Sequence, residues 1–139
     1  MILVDTHVIS EPLRREPSAA VIEWLDAQNV DTLFLAAISL AEMRFGVAAL
    51  PDGRRRDWLH QSIEQRVVPL FRGRILPFDE AASHAYASLR AKARAMGNAM
   101  APAEGFIAAT ASANGLIVAT RDVASFQAAG LRVIDPWAT

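Results

Sequence analysis

The sequence predicts an α/β fold, with a mostly parallel sheet of five strands lying between layers of helices. Three observations lead there. Five short runs are almost wholly apolar, as strands covered on both faces are. Segments whose apolar residues recur at helical spacing separate them. Turn and cap residues stand at the joins, notably Pro51-Asp52-Gly53 and Asn114-Gly115. A chain of 139 residues suits a single domain spanning 1–139, with one sizeable core.

The elements follow in order. Ile2–Val4 is a buried strand ending at Asp5. Residues 17–28 carry Val21, Ile22, Trp24 and Leu25 on one helical face, with Ser18 as a candidate N-cap. Residues 32–38, TLFLAAI, form a second strand, and residues 39–50, SLAEMRFGVAAL, a helix closed by the turn at PDG. Residues 56–71 resume as a helix with Trp58, Leu59, Ile63 and Val67 along one side. RILPF (74–78) is the third strand, after which Asp79 caps a long alanine-rich helix over residues 80–95. The stretch MGNAMAP breaks it, and Pro102 opens another helix that stops at Asn114-Gly115. LIVAT (116–120) and LRVID (131–135) supply the last two strands.

Composition narrows the function. No run approaches the roughly 18 apolar residues of a membrane span, and MILV meets Asp5 too soon for a signal peptide. A soluble cytoplasmic protein with no membrane contact is therefore expected. The absence of cysteine excludes disulfides, thiol catalysis and thiolate metal sites. Lys92 is the single lysine among 14 basic residues, so mechanisms needing a fixed lysine lose support. With a net charge of −1, no global nucleic-acid footprint exists.

Acids at element ends stand out. Parallel strands place Asp5 and Asp122 at the same sheet edge, outside the carboxyl ends where α/β proteins bind ligands. Glu42 lies one turn into the helix after the second strand and can face that edge too. Glu104 sits in the first turn of its helix, and sequence leaves its edge open. Each acid alone has a structural reading. Asp5 and Asp122 are possible caps, Ser39 to Glu42 has the form of a capping box, and Glu104 suits a helix N-terminus. Four acids gathered without a lysine would repel one another, and a divalent cation relieves that. All-oxygen donors favour Mg²⁺, or Mn²⁺.

The segments MILVDTHVISEPLR, AISLAEMRFGV, RILPFDEAASHAYASLRAKAR, AEGFIAATASANGLIVATRDVASF and VIDPW resemble, in order and over nearly the whole chain, PIN-domain ribonucleases of the VapC toxin family, FitB-like branch. The resemblance implies a three-layer α/β/α sandwich and Mg²⁺- or Mn²⁺-dependent endoribonuclease activity. It places the catalytic metal ligands on Asp5, Glu42, Glu104 and Asp122, with Thr6, His7 and Thr120 in support. It further implies a homodimer, a small antitoxin of the VapB/FitA kind whose C-terminal segment covers the groove, and operator DNA reached only through that antitoxin. The chain departs from the pattern twice. His7 stands where the family has Asn or Ser, and Glu104 where it has Asp, adding a methylene.

Two rivals are weighed beside the nuclease. A PIN-fold toxin-like protein with an impaired site would act through antitoxin binding and operon regulation. A phosphoryl-accepting α/β protein would also use a strand-end aspartate, but His7 stands where a phosphatase needs a second aspartate and Lys92 sits inside a helix. His60, His84, Trp24 and Trp58 read as surface, interface or packing residues. Arg54, Arg55 and Arg56 read as a solvated turn that could also hold RNA or antitoxin acids.

Overall fold

The computed structural model describes residues 1–138 and contains five strands, β1 (Ile2–Val4), β2 (Leu33–Ala36), β3 (Ile75–Leu76), β4 (Ile117–Ala119) and β5 (Val133–Ile134). Their order in the sheet is β3-β2-β1-β4-β5 and every pairing is parallel. The helices are α1 (Thr6–Ser10), α2 (Ala19–Asp26), α3 (Ala37–Ala48), α4 (Arg54–Ser62), α5 (Val68–Leu70), α6 (Glu80–Ala95), α7 (Pro102–Ala113) and α8 (Val123–Ala128). Among the described residues no helix is long and apolar enough to cross a membrane.

Alternation along the strands builds two cores. Val4, Leu33 and Leu35 point to one face, against Val8 and Ile9 of α1, Val21 of α2 and Leu40, Met43 and Val47 of α3. Leu3, Ala36 and Val118 point to the other, against Leu89 of α6, Ile107 of α7 and Phe126 of α8. Because both faces are covered, the strands carry apolar residues throughout, which is why they are visible in the sequence as unbroken runs. The result is the expected three-layer α/β/α sandwich.

The chain starts in the middle of the sheet. From β1 it moves outward through β2 and β3, then returns to the other side for β4 and β5. The reversal lies beside β1, so the carboxyl end of β1 is the topological switch point of this sheet.

Several local expectations change. Helix α3 begins at Ala37 with Ala36 as N-cap, two residues before the start expected at Ser39, and Ile38 belongs to it rather than to β2. The capping box therefore does not form: Ser39 is buried inside the helix with its hydroxyl unbonded, and Glu42 is free to point elsewhere. The helix of residues 56–71 is continuous but starts at Arg54 and widens to a π-turn over Ile63–Val67 before α5. Asp79 caps α6 as expected, accepting from Ala82 N–H at 2.9 Å. Ser18 precedes α2 without a side-chain cap bond; instead its own N–H donates to Glu11 at 2.9 Å. Arg56 pairs with Asp52, and Arg55 donates to the Leu13 carbonyl while its guanidinium stacks on the half-exposed Trp58.

Glu11 is 3% exposed and also accepts from Arg14 at 3.1 Å. Burial alone would raise its pKa, but the Ser18 amide and Arg14 overcome that and hold it below the ordinary 4.5. A depressed carboxyl contributes stability above its unfolded pKa and loses it as pH falls through the folded one. Glu11→Gln is expected to lower stability at pH 7 by about 1–3 kcal/mol. The deficit should shrink below the ordinary glutamate range, as urea melts at both pH values would record.

Helices α6 and α7 lie close because of Gly105. A Cβ there would come within 2.9 Å of Tyr86 Cε2 and 3.2 Å of Arg90 Cδ. Tyr86 cannot yield easily, since it stacks on Phe106 with centroids 4.8 Å apart. Gly105→Ala is expected to destabilise by about 1–2 kcal/mol despite alanine's better helix propensity, read as a lower urea midpoint at unchanged slope.

Candidate active site

The site grows from the end of β1. Asp5 follows Val4 directly, donates its N–H to the Ala119 carbonyl at 2.9 Å, and serves as N-cap of α1. Its carboxylate is only 7% exposed and is satisfied on both oxygens. Thr6 N–H donates to Oδ1 and the Thr120 hydroxyl donates to Oδ2, each at 2.8 Å. The cap and ligand readings of Asp5 are thus compatible. Burial raises its pKa, the Thr120 and Thr6 bonds and the nearby His7 act against that rise, and Glu42 adds to it.

Thr120 is fully buried behind Asp5, and its hydroxyl oxygen accepts from Asp122 N–H at 3.0 Å. One hydroxyl therefore sets both the orientation of Asp5 and the turn that carries Asp122. Across the cleft, the Thr6 hydroxyl donates to Glu42 Oε1 at 2.7 Å. This bond replaces the capping-box contact that the sequence suggested.

The edge on which Glu104 lies is also settled. The break after α6 delivers α7 with its N-terminus at the carboxyl edge, so Glu104 faces the same opening as the other acids. Asp5, Glu42, Glu104 and Asp122 line one cleft of about 330 Å³, together with Thr6 and His7, Ala103, Ile107 and Arg121. Burial, reinforced by the Asp122 carboxylate within hydrogen-bond reach, pushes Glu104 up to about 7. The Glu104 partner correspondingly holds Asp122 below its ordinary range. The two acids therefore titrate as an interacting pair.

His7 lines the opening and is exposed, and its imidazole makes no hydrogen bond to a described residue. It does not take over hydrogen bonds to Asp5. Arg121, unassigned in the sequence, lines the wall; its place between Thr120 and Asp122 was the available signal.

Among the described residues no three His, Asp or Glu side chains stand ready-made as a ligand set. Glu42 is turned to Thr6, and Glu104 is turned to Asp122. The donor chemistry nonetheless fits a hard cation: four carboxylates in one cleft, hydroxyls beside them, and no sulfur. A cation would also offset the burial and the neighbouring carboxylates that raise the Glu104 pKa.

Residues 2–130 match the PIN domain. This chain is a PIN-domain protein. Over 99% of its length it is 54% identical to the plasmid stability protein StbB of Pseudomonas syringae pv. tomato, covering 99% of that protein. It is 52% identical to VapC ribonuclease Y4jK of Sinorhizobium fredii, over 99% of this chain and 98% of the relative. The crystal structure of FitAcB from Neisseria gonorrhoeae superposes with a TM-score of 0.95 at 50% identity, covering 100% of both chains. The PIN-domain protein thus belongs with the VapC and FitB toxins, in agreement with the resemblance drawn from its motifs.

The Glu104–Asp122 pair gives a direct check. In metal-free protein, ¹³C-carboxyl NMR is expected to show one glutamate titrating near pH 7. Asp122→Asn should bring that titration back toward the ordinary glutamate range.

Proposed function

We propose that this chain is a divalent-metal-dependent endoribonuclease and the toxin of a type II toxin–antitoxin pair, acting on cytoplasmic RNA. One observation carries the reading: four carboxylates from four different parts of the chain line a single cleft at the switch point of the sheet. Half-identity over nearly the full length to a relative named VapC ribonuclease supports the choice of reaction.

Asp5, Glu42, Glu104 and Asp122 would hold Mg²⁺ or Mn²⁺. Such an ion supplies Lewis acidity that polarises a phosphoryl oxygen and lowers the pKa of water at the scissile bond. The chain's own residues do the rest. Thr120 and the Thr6 amide fix the Asp5 carboxylate in one orientation, and Thr6 holds Glu42 on the facing wall. With its pKa raised to about 7, Glu104 is partly protonated near neutral pH, and a cation taking the proton's place should release that fraction. The half-open cleft admits a splayed single strand or loop more readily than a duplex.

The partner reading extends the same argument. A small antitoxin of the FitA or VapB kind would cover the acid cleft, a homodimer of this chain would carry two such complexes, and operator DNA would be reached through the antitoxin. The nearly full superposition on FitAcB supports that arrangement.

The test uses the chain purified without a partner, incubated with structured RNA in Mg²⁺, Mn²⁺ or EDTA. Cleavage is expected with metal and none with EDTA, and Asp5→Asn should reduce it by at least about 100-fold. Metal-dependent cutting that survives the substitution would sink the site. Silence with both metals, with recovery on Glu104→Asp, would favour a toxin-like protein with an impaired site.

A further inference from the structure

Arg121 is the residue whose surroundings the acid chemistry does not explain. It lines the same cleft as the four carboxylates, where only it and His7 are basic. Other arginines of the chain are engaged: Arg44 holds Glu64 with two bonds of 2.9 and 2.7 Å, and Arg56 holds Asp52. Arg121 makes no ion pair or side-chain hydrogen bond with any described residue, although Asp122 follows it directly. Its guanidinium lies instead over the ring of Trp137, 5.2 Å from the centroid.

Trp137 is itself fixed. Its N–H donates to the Asp135 carboxylate at 2.9 Å, and its ring packs against the core on the α1 face of the sheet. Stacking of this kind uses the flat face of a guanidinium and leaves its in-plane N–H donors free. The result is an exposed guanidinium at the wall of an acidic cleft, hydrogen-bonded to none of the cleft's acids, whose charge also helps to keep the buried Glu11 ionised. A polyanion entering that cleft meets four carboxylates, and a cation neutralised by one of them would not help. A guanidinium with its N–H donors unbonded matches the two oxygens of a phosphate.

We infer that Arg121, held by Trp137, grips a backbone phosphate of the RNA strand beside the bond to be cut. It is a positioning residue, and the inference rests on the ribonuclease reading above. Trp137 acts through it by fixing the plane of the fork, which gives the C-terminal segment after β5 a part in substrate binding.

The experiment measures fluorescence anisotropy of a fluorescein-labelled single-stranded RNA of mixed sequence in EDTA across a KCl series, followed by cleavage kinetics in Mg²⁺. Arg121→Ala is expected to weaken RNA binding about tenfold. It should also flatten the plot of log affinity against log salt by about 0.7, the share of one phosphate on a single strand. Its KM should rise more than its kcat falls. Arg121→Lys should recover part of the affinity, Trp137→Phe should keep most of it, and Arg94→Ala, on the exposed side of α6, should change nothing. Arg121 is exposed, so loss of the fold does not confuse the result, and an unchanged thermal melt checks this.

If the wild type binds and cuts RNA while Arg121→Ala keeps its affinity and salt slope, the inference is overturned and the ribonuclease reading stands. Unchanged RNA binding with weaker binding of a Glu/Asp-rich peptide also overturns it, giving Arg121 to a protein partner. If the wild type neither binds nor cuts, the ribonuclease reading falls and takes this inference with it.

Discussion

The hydrogen bond from the Thr120 hydroxyl to Asp5 joins the two halves of the sheet at the point where function gathers. Asp5 ends the central strand and Thr120 follows the neighbour β4, 115 positions away in the chain. A carboxylate buried to 7% exposure is tolerable only when its oxygens are satisfied, because desolvation of an unpaired charge costs several kcal/mol. Here the Thr120 hydroxyl and the Thr6 amide meet that demand, and the Asp5 amide locks the same residue to Ala119. The register of β1 on β4, the start of α1 and the direction of the carboxylate are thus one constraint. Any substitution that moved Asp5 would disturb all three.

From that anchor the placement of the other acids follows from chain direction. All five strands are parallel, so every β-to-α junction lies at the same edge. Helix α3 leaves β2 at that edge and carries Glu42 to where Thr6 can hold it. Asp122 leaves β4 there, its amide held by Thr120. The fold therefore concentrates negative charge at one place without any local requirement to do so. Folding stability works against such a cluster: burial and the neighbouring Asp122 carboxylate raise the Glu104 pKa to about 7, which favours its neutral form. A site that is electrostatically incomplete by itself is the expected state of a cation-binding centre.

The strands were readable because burial on both faces makes them uniformly apolar, and α6 was readable to the residue because Asp79 is a true cap. Asp5 and Asp122 were placed correctly by strand direction alone. What the sequence hid has physical reasons. Ser39 and Glu42 have capping-box spacing, yet α3 begins earlier, because Ala36 ends β2 in extended geometry and Ala37 already turns. Short α1 and α8, of five and six residues, are too brief to show a periodic pattern. The edge of Glu104 depended on the path of the MGNAMAP break, which no local pattern encodes. Arg121 was invisible as a site residue because its meaning lies in a contact with Trp137, sixteen positions on and across β5.

Glu104 shows how packing and chemistry meet in one turn of helix. The next residue, Gly105, has no side chain, and this lets α7 settle against Tyr86 and Arg90 of α6. The aromatic cluster of Phe78, Tyr86 and Phe106 packs beside the same turn. Burial in this packed turn, reinforced by the Asp122 carboxylate within hydrogen-bond reach, is what pushes the Glu104 pKa upward. The burial of Glu104 and the close helix pair are therefore coupled: an α7 held farther from α6 would leave the acid more exposed and bring its pKa back toward the ordinary range.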